Sequence, residues 1–212
     1  MVLLIAQKLK QMHFNFRNTL AIIALLCILL SCSSKNISSK YYYQNKNTLD
    51  SIEHSYKHLY HAAPFSIAFT NRSFNTVTIE IITDTLSYIY EFTVNEQRLK
   101  DTLIAFHLNS AKIIDLITNM KSIRCTWINN YNFYVGEKKN SLVFMSIKPV
   151  AINALFSYKK YYTLTYFQQP QYFDSTGKLL DRKRLQTLRK INGEIFKRIN
   201  DKVCYTISGK FR

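Results

Sequence analysis

His54, His58 and His61 stand at i, i+4 and i+7 in a stretch whose apolar residues recur at helical spacing. On a helix they project within about 60° of one another, with Asp50 on the same side. Neutral imidazoles at i and i+4 suit zinc, copper or nickel. A straight helix brings two of the three to one ion, so a further ligand must come from elsewhere. The alternative is a solvated polar face that happens to hold histidine. His107 lies beside Leu103 and Ala105 in a run that reads as a strand. There it is either a buried, hydrogen-bonded histidine or the base of a hydrolase, with no nucleophile named by the sequence. Glu80 and Glu91 fall on the wet face of a hairpin. Paired carboxylates can cut glycosidic bonds, but carboxylates are also ordinary on a solvated sheet face.

Two further sets carry chemistry. Cys125 and Cys204 are a possible disulfide in an oxidising compartment, or two small buried thiols. Lys183, Lys190, Lys197 and Arg198 fall opposite an apolar stripe if Asp181 to Asn200 is a helix. That arrangement makes a possible anionic-surface patch, or the solvated side of a core helix. The four glycines exclude other chemistry. Gly136, Gly177, Gly193 and Gly209 are never closer than sixteen positions. A phosphate-binding loop, a dinucleotide fingerprint and a nucleophile elbow all need close-set glycines.

The amino terminus places these residues in a compartment. Lys8, Lys10 and Arg17 precede an apolar run from Leu20 to Leu30, closed by Ser31-Cys32. The run is far short of the roughly 20 residues a membrane span needs. A basic segment, an apolar core and small residues at its end describe an export signal. Met1 to Ala6 is itself apolar, and Met12 opens a basic segment of ordinary shape, so Met12 is the expected start.

The sequence Leu29-Leu30-Ser31-Cys32 resembles the lipobox of bacterial lipoproteins, a resemblance confined to residues 1–32. It implies a thioether-linked diacylglycerol on Cys32 and cleavage before it; no other cofactor is expected. Two acyl chains give stable anchoring where one does not. Ser33, in place of the aspartate that favours inner-membrane retention, implies an outer-membrane lipoprotein facing the periplasm. The implied partners are the bilayer, anionic headgroups or an envelope protein, and no nucleic acid.

The chain carries 29 Lys and Arg against 13 Asp and Glu, a net charge of +16. Lys8, Lys10 and Arg17 leave with the leader, which holds no acid, so +13 remains. On an exported protein that charge addresses lipid headgroups or acidic envelope polymers, or serves solubility alone.

Elements must hold these groups in place. Residues 32–47 are rich in Ser, Lys and Asn and read as a lipidated cysteine with a flexible tether. Residues 48–212 read as one domain. Thr48 to Ala62 is a helix, with Leu49, Ile52, Tyr56, Leu59 and Tyr60 on one side, ended by Pro64. The period then becomes two. Phe65–Thr70, Thr76–Ile82 and Leu86–Val94 are strands, and Val77, Ile79 and Ile81 share an apolar face with Leu86, Tyr88, Tyr90 and Phe92. Thr102–Leu108 reads as a strand. Asn109 or Ser110 caps a helix to about Lys121. Strands follow at 122–128, 132–135, 142–147 and 161–167, with a turn at Asp174–Gly177, then the Asp181–Asn200 helix and a last strand from Val203. Meandering strands with separate helices give an α+β fold, a mainly antiparallel sheet packed against two or three helices. The function expected is a non-catalytic binding or structural module; a hydrolase or a weak metal binder is the alternative.

Overall fold

The computed structural model describes residues 33–135, 137–150 and 160–210. The leader, the Met12 start and Cys32 lie outside the described residues. The body of the fold begins at Tyr42. It is α+β, as the alternation of periods predicts.

Four helices are described: α1 (Ser33–Gln44), α2 (Lys46–Ala62), α3 (Gln97–Ala105) and α4 (Ser110–Ser122). The strands are β1 (Phe65–Phe69), β2 (Thr76–Ile82), β3 (Ser87–Thr93), β4 (Cys125–Val135), β5 (Lys138–Val150), β6 (Lys160–Tyr166), β7 (Lys190–Ile191), β8 (Glu194–Ile195), β9 (Lys197–Arg198) and β10 (Val203–Ser208). Eight of them form one antiparallel sheet in the order β3-β2-β1-β4-β5-β6-β10-β9, and β7 and β8 form a separate hairpin. No described helix is long and apolar enough to cross a membrane.

Register assigns each strand residue to a face. Phe65, Ile67, Ile79, Ile81, Ile128, Met145 and Leu164 share the first face, where α2 and α4 pack. On α2, Leu49, Ile52, Tyr56 and Leu59 are buried. Each such side chain contributes about 1.5–3 kcal/mol, more than the roughly 1 kcal/mol of a cap. The helix therefore stands although Asn45, at its N-cap, makes no side-chain capping bond. On α4 the cap is made as the sequence predicts: Asn109 Oδ1 accepts the Lys112 N–H at 3.1 Å. Ile113, Leu116, Ile117 and Met120 form its buried side.

Among the described residues, the second face is covered at one end only. There Leu142, Phe144, Phe167, Leu179, Ile191, Phe196 and Cys204 form a core, with Trp127, Phe133 and Phe173 at its margin. The cover is the irregular segment after β6, which folds back over β4, β5, β6 and β10.

Three sequence expectations are corrected. Residues 33–44 are helical, not an irregular tether. The last turn is fastened by tyrosines: Asn200 Nδ2 donates to the Tyr42 hydroxyl at 3.1 Å, and Tyr42 is 2% exposed. Such tertiary contacts override the weak helix propensity of Ser and Asn. The expected strand Thr102–Leu108 is instead the end of α3 and its exit. Leu99 and Leu103 are buried one helical turn apart, and His107 closes the helix at φ 57°.

The largest correction is Asp181–Asn200, which is not a helix. Asp181 Oδ1 accepts the N–H groups of Lys183 and Arg184 at 2.8 and 3.1 Å, turning the chain. Asn192 and Gly193 follow at φ 50° and 80°. Consecutive positive φ angles make the two-residue turn that joins hairpin strands, and Lys190↔Ile195 and Ile191↔Glu194 pair across it. The Asp174–Gly177 turn stands where expected, with the Gly177 N–H on the Asp174 carbonyl at 2.9 Å.

Candidate functional site

The residues singled out by type do not converge. His54, His58 and His61 are exposed on α2, as their helical spacing predicts. Among the described residues, no three His, Cys, Asp or Glu side chains gather as a metal-holding group. His107 is neither in a strand nor buried: it is exposed in the left-handed position after α3. Glu80 and Glu91 share the solvated face of the β2–β3 hairpin, Glu80 opposite Ile89 and Glu91 opposite Thr78. Glu80 Oε2 accepts the Ser66 hydroxyl at 3.0 Å.

The possible Cys125–Cys204 bridge is not formed. Both thiols are free and buried. Cys125 pairs with Ile147 on the helix-covered face, and Cys204 belongs to the core on the other. Burial pushes the Cys125 thiol up to about 12 and raises Cys204 as well.

The basic set Lys183, Lys190, Lys197 and Arg198 is exposed but shares no helix face, because the helix does not exist. Lys190 lies on β7, and Lys197 and Arg198 on β9. Arg198 is held by Asp201 at 2.6 Å and lies over the Phe173 ring at 5.4 Å. Lys183 stands apart from them, beside a cleft.

That cleft was not legible in the sequence. Its volume is about 370 Å³. Two strands and the exit of a third supply the floor. Phe133 comes from β4, Ser141 and Leu142 from β5, and Phe167 follows β6. The returning segment supplies the walls: Gln168, Gln169 and Gln171 from one pass, and Asp181, Arg182, Lys183 and Arg189 from the next.

Arg189 is the centre of the arrangement. Its guanidinium carbon lies 5.6 Å from the centroids of both the Phe133 and Phe167 rings. Each such contact contributes about 0.5–2 kcal/mol. Its backbone N–H bonds the Leu179 carbonyl at 2.9 Å, which fixes where the side chain leaves the segment. Arg189 Nη1 donates to Gln171 Oε1 at 3.0 Å. A guanidinium has five N–H donors, and no other side-chain acceptor among the described residues takes one. Burial lowers its pKa, and the nearby Asp181 carboxylate opposes that shift.

The other walls are held by their own bonds. Gln168 Nε2 donates to the Ser141 hydroxyl at 3.2 Å. Arg182 Nη1 donates to Gln169 Oε1 at 2.7 Å. Asp181 is held below the usual carboxylate range, first by the N–H groups of Lys183 and Arg184. Only its Oδ1 carries those bonds, which among the described residues leaves Oδ2 for a hydroxyl donor. The lining thus holds three cations, one carboxylate and several amides over an apolar floor. It can grip a polar, negatively charged ligand. Among its described residues it offers no nucleophile paired with a base.

No family model, curated protein or solved structure matches the chain.

Proposed function

We propose that this chain is a membrane-anchored envelope lipoprotein of the outer membrane, facing the periplasm, whose folded body is a non-catalytic binding module. The anchor rests on Leu29-Leu30-Ser31-Cys32 and the apolar run before it. The binding function rests on one observation: Arg189 sits half-buried against two aromatic rings at a cleft, with a single side-chain acceptor among the described residues. Taking a charge out of water is costly unless its donors are met. A ligand entering the cleft meets them.

The chemistry of the lining favours holding over bond breaking. Ser141 is buried and engaged by Gln168, and among the described residues no imidazole lines the cleft. Two experiments test the reading. Intact-mass analysis of membrane-extracted protein is expected to show a diacylglyceryl adduct on a chain beginning at Cys32; a soluble chain beginning elsewhere rejects the anchor. The detergent-solubilised chain is expected to co-sediment with washed envelope polymer, and Arg189→Gln to abolish this. Retention equal in the variant rejects the cleft as the binding site.

A further inference from the structure

We infer that the Arg189 cleft binds an acidic sugar, a ring that carries a carboxylate beside free hydroxyls. The inference rests on the binding reading above and names the ligand class of that site.

The charge of the lining sets the first requirement. Arg182, Lys183 and Arg189 face one acid, Asp181. A guanidinium forks onto a planar carboxylate with two parallel N–H···O bonds. Arg189 has the donors for this, and its contacts with the two rings restrict it, so that less side-chain freedom is lost when the ligand arrives. The segment that carries it is fixed by two backbone bonds at Leu179: the Leu179 N–H donates to the Phe196 carbonyl, and the Arg189 N–H donates to the Leu179 carbonyl.

Asp181 sets the second requirement. Within this otherwise cationic cleft, the place beside Asp181 opposes an anionic oxygen and suits a neutral hydroxyl better. The carboxylate accepts a hydroxyl from a ligand that carries one. Its backbone bonds keep it ionised, and therefore acceptor-only. Gln169 adds both donor and acceptor groups, so alternating hydroxyls find partners. Phe133 and Leu142 give the C–H side of a sugar ring an apolar wall. The volume, about 370 Å³, lies near the lower end of the roughly 300–1,000 Å³ of ligand pockets. That suits one or two rings.

The test uses the full-length chain in detergent micelles, titrated calorimetrically at low salt with glucuronate, glucose and inorganic phosphate. Glucuronate is expected to bind with a dissociation constant of about a millimolar or tighter, and glucose and phosphate at least about tenfold more weakly. Arg189→Gln is expected to weaken glucuronate about tenfold or more. If that variant melts early, the exposed pair Arg182→Gln and Lys183→Gln decides, with an expected loss of about three- to tenfold. Phosphate binding as tightly as glucuronate overturns the inference, as does glucose binding equally well or a variant pair that loses nothing. Envelope polymer retained through Arg189 without glucuronate binding refutes the sugar acid alone and leaves the binding module standing. Retention of neither refutes both.

Discussion

Two buried tyrosines show how much one hydroxyl can matter. Tyr56 donates to the Phe65 carbonyl at 2.6 Å. The Tyr166 hydroxyl is buried with no partner among the described residues. Removing a satisfied bond costs about 0.5–1.5 kcal/mol, while removing an unmet polar group is nearly neutral or stabilising. Tyr56→Phe is therefore expected to lower the urea midpoint, and Tyr166→Phe to leave it unchanged or raise it. The thiols give a second residue-scale prediction. Iodoacetamide at neutral pH is expected to spare Cys125 and Cys204 in the native chain, because both are buried with raised pKa values. In denaturant both are expected to react without a reductant. The acids of the returning segment give the third. Asp174 and Asp181 are held below the usual carboxylate value by backbone N–H donors. Stability from a depressed folded pKa is fully present above the unfolded value of about 3.9 and is lost as pH falls through the folded one. The amide resonances of Lys178, Lys183 and Arg184 are therefore expected to titrate with midpoints below about 3.9. Midpoints at or above it would mean that those bonds are not held in solution.

At the scale of elements, the turn at Asn192-Gly193 carries the returning hairpin. Gly193 at φ 80° is strained for any side chain. Gly193→Ala is expected to cost about 1 kcal/mol, read as a lower melting temperature. The same turn explains the main misreading. Leu185, Leu188, Ile191, Ile195 and Ile199 recur at helical spacing, yet Leu185 is 52% exposed and the spacing is incidental. Asn-Gly between Ile191 and Ile195 was the contrary signal, and two-residue turns of that kind outrank a loose period. Alternation served well where one face is wet, as in β2 and β3, whose register pairs Val77 with Phe92 and Ile79 with Tyr90. It failed at Leu103-Ile104-Ala105-Phe106, where a short apolar run fits strand and helix alike. The cleft was not legible because Phe133, Phe167 and Arg189 lie on three separate passes of the chain. Edge strand β3 carries the last element-scale prediction. It holds no Lys or Pro, and Ile89 is 69% exposed on it. Arg98 and Glu96 occupy the Glu91 carbonyl and the Thr93 N–H, while Ile89 has no such guard among the described residues. Open edges invite pairing between chains. Ile89→Lys is expected to reduce concentration-dependent association in light scattering without lowering the melting temperature.

For the whole molecule, the order in which parts of the chain arrive matters. Asn200 and Tyr42, bonded at 3.1 Å, are 158 positions apart. β10 is last in sequence yet lies inside the sheet, between β6 and β9. A ribosome delivers about 5–20 residues per second, so the first helix waits about 8–30 s for its closing contact. Until β10 is made, β6 is an open edge. Distant pairings of this kind slow folding. A chain stopped short of Val203 has every element before β10 and still lacks the strand that pairs with both β6 and β9, so its sheet stays unclosed until that segment is made.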